Sequence, residues 1–250
     1  MKILRYLNDV QPVTGCALDG QVYPLRDTSP PADLGEMGGA GSAMPENLLA
    51  PVLPGTVFGM AHNTGPSDRE LPPGAFLKAA ASVIGPGESI PLPAGIGKVE
   101  AEAELGAVIS TPLHNARPDD VPPALLGYTV ALDVTGRDAQ QSDPLWTEAK
   151  SRTGFTPLGP WIETDLDVDD AQLRLWRNDE EVAAGSTAGL ARGPFEAIAY
   201  LSTLVELRPG DVVLTGAPDT SAMVRPGDVV AAEIAGIGVL SCPVVRSSDG

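Results

Sequence analysis

Val99-Glu100-Ala101-Glu102-Ala103-Glu104-Leu105-Gly106-Ala107-Val108-Ile109 is the segment on which the fold turns. Its glutamates recur at every second residue, which is the period of a β-strand. Side chains alternate faces along a strand, so Glu100, Glu102 and Glu104 share one face, with neighbours roughly 6–7 Å apart by the strand rise. Spacing alone fits a solvated polar face. The run continues, however, into Leu-Gly-Ala-Val-Ile, which reads as buried on both faces. A second strand, Gly127–Thr135, carries Asp133 among apolar residues. Buried carboxylates are costly unless paired or metal-bound. Three hard oxygen donors suit Mg²⁺, Mn²⁺ or Ca²⁺, with positions left for water and substrate. Neither strand by itself says that the two meet.

Outward from this pair, residues 2–7 and 21–25 read as short strands of a small N-terminal unit. Residues 28–50 have little periodicity and read as a linker, with one helical turn near Glu46–Leu49. The GGAGS inside it lacks the GK[ST] ending of a phosphate loop and follows no clear strand. Arg192–Leu207 places Phe195, Ile198, Leu201 and Val205 at helical spacing and is expected to be an amphipathic helix. Two turn-strand units nearly repeat, LRPGDVV at Leu207–Val213 and VRPGDVV at Val224–Val230. In each, Pro-Gly presets a turn and β-branched residues extend from it. The expected fold class is α+β and strand-rich, with a unit at 1–50 and a main domain at 51–250.

The chain has 250 residues and a formal charge of −17, which argues against nucleic acid because phosphates would be repelled. A site for an anion would need its own local positive charge. Cys16 and Cys242 stand far apart with no CxxC spacing, so a reducing cytoplasm is the default expectation. The N-terminus reads as a strand and not a signal peptide, and no apolar run is long enough to span a membrane.

The motifs, taken in order, resemble the fumarylacetoacetate hydrolase superfamily. They are F-L-K at Phe76–Lys78, E-x-E-L at Glu102–Leu105, D-V-T-x-R-D at Asp133–Asp138 and A-K-S at Ala149–Ser151. P-L-G-P-W at Pro157–Trp161, P-G-D-V-V-L-T-G at Pro209–Gly216 and G-I-G-x-L at Gly236–Leu240 complete the set. The likeness covers about residues 55–245, and L-W-T-E-A-K-S is similar to the acylpyruvate hydrolase and oxaloacetate decarboxylase branch. It implies a mixed β-sandwich roll, usually a homodimer, acting on a small 2-oxo acid. It implies Glu102, Glu104 and Asp133 as metal ligands for Mg²⁺ or Mn²⁺, with Ca²⁺ a further option. It implies Lys150 as the active-site lysine and Gln140, Arg137, Lys78 and Thr215 as substrate contacts. Arg137 could instead pair with Asp133 or Asp138, and Gln141 could replace Gln140.

The resemblance fails in one stretch. Family hydrolases carry G-x-N-Y-x-x-H-x-x-E, whose His and Glu activate water; here Gly65 stands at the His position and Asp68 at the Glu position. His62 falls three residues early. Leu132, Thr153 and Ala217 replace a common Asn, Asp and Thr. His114 sits in a polar loop and is read as solvated. Hydrolysis needs an activated water and hence a base, whereas decarboxylation does not. One reading is therefore a C–C hydrolase with His62 as substitute base and Asp68 orienting it. The alternatives are a decarboxylase or isomerase on the same metal platform, and a catalytically silent metal-binding homologue.

Overall fold

Residues 1–25 and 37–247 are described by the computed structural model of the chain. Its strands begin with β1 (Lys2–Asn8), β2 (Gln11–Leu18), β3 (Gln21–Pro24) and β4 (Leu48–Leu49). Next come β5 (Val57–Ala61), β6 (Gly74–Lys78), β7 (Val83–Ile84), β8 (Ile90–Leu92) and the two long strands β9 (Val99–Ile109) and β10 (Leu125–Gly136). Short helices α1 (Arg137–Ser142) and α2 (Thr147–Lys150) lead to β11 (Thr156–Glu163), β12 (Gln172–Arg177) and β13 (Glu180–Ser186). Helix α3 (Pro194–Leu204) precedes β14 (Val212–Leu214), β15 (Ser221–Val224), β16 (Val229–Ile234) and β17 (Gly238–Arg246).

The strands form two mixed sheets. The large one runs β3-β2-β1-β11-β10-β9-β14-β5-β6, and the smaller one runs β13-β12-β16-β17-β8. Alternation along β9 and β10 explains why they stack. Ala101, Ala103, Leu105, Val130, Leu132 and Val134 point inward and share one core with Leu173, Leu175, Val230, Ala232 and Leu240 of the smaller sheet. A fully buried Leu or Val stabilises by about 1.5–3 kcal/mol, so this face drives the stacking. The intervening residues Glu102, Glu104 and Asp133 must then face away from that core. Small residues on the outer face let neighbours come close. A Cβ on Gly59 of β5 would lie 2.1 Å from the Phe76 ring of β6.

The sequence expectations at β9 and β10 match the observed strands, the first with the same ends. The two R-P-G-D units are built alike. Asp211 accepts the Arg208 N–H at 2.8 Å, and Asp228 accepts the Arg225 N–H at 2.8 Å. Three expectations are corrected. The helix begins at Pro194, not Arg192, because the Arg192 N–H is bound by Asn63 Oδ1 at 2.7 Å and Pro194 suits a first helical position. It ends before Val205, which is a half-exposed cap residue. In place of a helical turn at 46–49, Leu48 and Leu49 pair with Tyr6 and Arg5 as β4. Strand β2 is unforeseen because Pro12 and Gly15 break its pattern. Part of the expected linker at 28–50 lies outside the described residues; the GGAGS stretch within it folds back along β3, with Ser42 and Val22 exchanging backbone hydrogen bonds. Among the described residues no helix is long and apolar enough to cross a membrane.

Candidate active site

The antiparallel register of β9 and β10 sets Asp133 directly opposite Glu102 and Ala131 opposite Glu104. Three carboxylates thereby meet on the outer face of the large sheet, and all three are buried. Strand β14 lies on the other side of β9, with Leu214 opposite Gly106. The chain just past it reaches Glu104, whose Oε2 accepts the Gly216 N–H at 2.6 Å.

Two buried lysines answer these acids. Lys78, at the end of β6, donates to Asp133 Oδ1 at 2.6 Å and to the Val134 carbonyl at 3.2 Å. Lys150, the last residue of α2, pairs closely with Asp133 Oδ2 and donates to Thr135 Oγ1 at 2.7 Å and Glu102 Oε2 at 3.4 Å. Its ammonium also stands 4.4 Å from the centre of the Phe76 ring. Burial disfavours every charge here, and neighbours decide the outcome. Burial pushes Asp133 up, but Lys150 and Lys78 outweigh it and hold the carboxyl below its usual range. Burial pulls Lys150 down, but Asp133 and Glu102 leave it raised. Lys78 is brought down to about 8, chiefly by burial, with the Lys150 charge adding to it. Glu104 is raised well above the carboxylate range by burial and by the Asp133 and Glu102 charges.

A cleft of about 350 Å³ opens over this wall. Glu102, Glu104, Asp133, Lys150, Arg137 and Gln140 line it on one side. His62, Thr64 and Asp68 come from the loop after β5, and Phe76, Trp146 and Ala217 add small or apolar surface. Gln140 reaches this cleft, while Gln141 is exposed and does not line it. His62 is exposed, with a left-handed φ of 54°. Asp68 Oδ2 accepts both the Thr64 N–H and its hydroxyl at 2.9 Å, so the acid is engaged in shaping the loop.

Several expected contacts fall elsewhere. Lys78 does not line this cleft; it is a fully buried counter-ion behind Asp133. Thr215 is also fully buried, and its hydroxyl donates to the Leu105 carbonyl at 3.1 Å. Arg137 pairs with neither Asp133 nor Asp138. Its guanidinium binds Glu100 at 2.5 Å, Glu102 at 3.0 Å and the Gln140 Oε1 at 2.8 Å. Thr135 and Glu100 are parts of the network that only the strand alternation around Asp133 and Glu102 could have signalled.

The donor set suits a divalent cation. Glu104 is destabilised as an anion by its two acidic neighbours, and a nearby positive ion removes that penalty. Among the described residues no three acidic, imidazole or thiol groups already close around one point. Lys78 and Lys150 pair with the two Asp133 oxygens. Glu102, Glu104 and Asp133 are the residues that could hold the ion, and it would supply the positive charge that Glu104 lacks.

The two mixed sheets of this strand-rich chain are the fumarylacetoacetate-hydrolase type of fold. The chain belongs to the fumarylacetoacetate (FAA) hydrolase C-terminal family, which it matches over residues 56–245. Protein Rv2993c of Mycobacterium tuberculosis is 38% identical, over 80% of this chain and 78% of its own. A maleylpyruvate hydrolase of Aquipseudomonas alcaligenes is 32% identical, over 68% of this chain and 59% of its own. The crystal structure of a 5-carboxymethyl-2-hydroxymuconate delta-isomerase from Mycobacterium smegmatis superposes with a TM-score of 0.90 at 32% identity, covering 99% of this chain and all of that one. Relatives of this chain thus include both a hydrolase and an isomerase.

Proposed function

We propose that this protein is a divalent-metal-dependent hydrolase that cleaves a C–C bond of an acylpyruvate-like 2-oxo acid. The observation that carries this reading is a single cleft with Glu102, Glu104, Asp133 and Lys150 on its wall and His62 at its mouth. The relative named maleylpyruvate hydrolase supports the reaction class. Glu102, Glu104 and Asp133 would hold Mg²⁺ or Mn²⁺, which would supply Lewis-acid polarisation of the carbonyl. In this reading His62 takes a proton from water, and the hydroxide oxygen bonds to the distal acyl carbon. The bond from that carbon to the pyruvate methylene breaks, and its electron pair leaves as the pyruvate enolate. The Lys150 ammonium stabilises the charge on the enolate oxygen. The imidazolium returns its proton to the methylene carbon, giving pyruvate and a carboxylic acid. Gln140 and Arg137 orient the substrate and Glu102. We place this apparatus in residues 51–250, with residues 1–50 a smaller unit, and assign a homodimer, which sedimentation would read as twice the 25.8 kDa of one chain.

The test is His62→Asn assayed on acetylpyruvate. Hydrolysis should fall by about 10²–10⁴-fold, the usual contribution of a general base. Decarboxylation of oxaloacetate, which needs no activated water, should stay near the parent rate. Undiminished hydrolysis in His62→Asn would remove the base assignment. The relative named as an isomerase favours a second reading, in which the loop is only a cover. That reading expects no hydrolysis in the parent and enolisation that is indifferent to His62.

A further inference from the structure

Arg192 is buried just ahead of α3, yet among the described residues its guanidinium donates to carbonyl oxygens and to no carboxylate. The three carbonyls all belong to the loop that carries His62. They are His62 itself at 3.2 Å, Asp68 at 3.4 Å and Leu71 at 2.5 Å. A desolvated guanidinium is costly, and an apolar side chain would fill the same space at lower cost. The arrangement therefore calls for a reason beyond stability.

Asn63 closes the other half of the connection. It is fully buried, and its Oδ1 accepts the Arg192 N–H at 2.7 Å. Its Nδ2 donates to the Arg192 carbonyl at 2.9 Å and to the Thr215 carbonyl at 2.7 Å. Gly216 has a left-handed φ of 109°, and a Cβ there would lie 2.2 Å from the Asn63 carbonyl oxygen. The same glycine donates its N–H to Glu104. One continuous set of hydrogen bonds thus joins the His62 backbone, Arg192, Asn63 and the 215–216 turn to an acid of the site. Helix α3 adds a further tie, from the Tyr200 hydroxyl to the Pro73 carbonyl at 2.9 Å. His62, at the near end of the loop, keeps a backbone conformation that a residue with a side chain seldom adopts without support.

We propose that Arg192 and Asn63 form a clasp that sets where His62 stands over the cleft, which makes Arg192 a positioning residue acting through His62. The inference rests on the reading of His62 as the base. No substrate contact is assigned to Arg192 itself; its guanidinium is taken up by the loop.

The experiment compares Arg192→Met, His62→Asn and the double variant on acetylpyruvate, with amide hydrogen exchange of residues 62–71 and the thermal shift with Mn²⁺ measured alongside. Misplacing a reacting group by about 1 Å costs on the order of 10²-fold, so kcat of Arg192→Met should fall by about that factor. KM should change by less than about threefold, because a loss confined to the transition state leaves substrate binding alone. The Mn²⁺ shift should match the parent, and amide exchange in 62–71 should quicken. Adding Arg192→Met to His62→Asn should cost nothing further, as expected when two residues act as a unit. Losses that multiply in the double variant, or unchanged exchange in 62–71, would overturn the clasp. Full activity in His62→Asn would instead sink the base reading, and the exchange data would still decide the clasp. Where Arg192→Met does not fold, Arg192→Gln carries the same test, since an amide offers two N–H donors to the guanidinium's five.

Discussion

At the scale of single residues, the site is an excess of buried negative charge partly met by two lysines. Glu102, Glu104 and Asp133 repel one another, so a divalent ion should stabilise the folded chain. At a hundred times its dissociation constant a ligand contributes about 2.7 kcal/mol, and each kcal/mol moves the melting point of a chain this size by about 2–4 °C. A rise of several degrees with Mg²⁺ or Mn²⁺ is expected, and Glu102→Ala or Asp133→Ala should abolish it. A parent-sized shift in either variant would take that residue off the ligand set. The two lysines should separate by assay. Lys78 is wholly buried against Asp133, and removing one partner of such a pair costs about 3–5 kcal/mol. Lys78→Met should therefore lower the melting point by several degrees; an unchanged melting point with a raised KM would restore Lys78 as a substrate contact. Lys150 lines the cleft, and Lys150→Met should lower kcat by orders of magnitude while the metal-induced shift persists. A change in KM alone would reduce Lys150 to a uniform anchor.

At the scale of elements, the two R-P-G-D turns show how similar sequences serve different ends. Gly227 has a φ of 99° and nothing within 4 Å of the place a Cβ would occupy. Gly227→Ala thus meets only backbone strain, of about 1–2 kcal/mol, and should lower the melting point by a few degrees with kcat unchanged. The first turn feeds β14, and β14 feeds Gly216. There a Cβ meets both the left-handed φ and the Asn63 carbonyl, and the glycine N–H is a partner of Glu104. Gly216→Ala should weaken the Mn²⁺-induced thermal shift as well as the fold. Equal metal shifts in the two alanine variants would break the assigned link between that turn and Glu104.

At the scale of the whole molecule, the N-terminal strands are not a detachable ornament on the large sheet. Strand β1 pairs with β11 through Lys2–Glu163 and Ile3–Ile162. Ile3 is fully buried in one cluster with Val108, Leu158 and Ile162. Ile3→Ala should cost about 2–5 kcal/mol in a single cooperative thermal transition, with kcat at low temperature preserved because Ile3 does not line the cleft. A melting point equal to the parent's would mean that the N-terminal unit folds on its own account. The smaller sheet acts from the opposite side, sealing the apolar face of β9 so that its acids have only the cleft to enter.

What the sequence by itself determined is what local geometry governs. The two-residue period of Glu100, Glu102 and Glu104 is a property of one extended backbone, and so is the place of Asp133 within an apolar run. The Arg-Pro-Gly-Asp turns and the helical spacing of Phe195, Ile198 and Leu201 are equally local. The motif order, resting on these, was enough to recover the family. Everything that required two distant segments to meet was decided by the tertiary structure. The register that sets Asp133 against Glu102 comes from packing both strands against the smaller sheet. Lys78 and Thr215 sit in motifs that resemble binding residues, yet burial turns one into a counter-ion and the other into a backbone tie. Arg137 could have chosen among several acids, and took Glu100 and Glu102, which lie opposite Thr135 and Asp133 on the strand that ends just before it. Arg192 and Asn63 carry no motif at all; their partners lie more than a hundred residues away along the chain. A buried hydrogen-bonding group must find a partner wherever the fold brings one, and sequence separation says nothing about where that is.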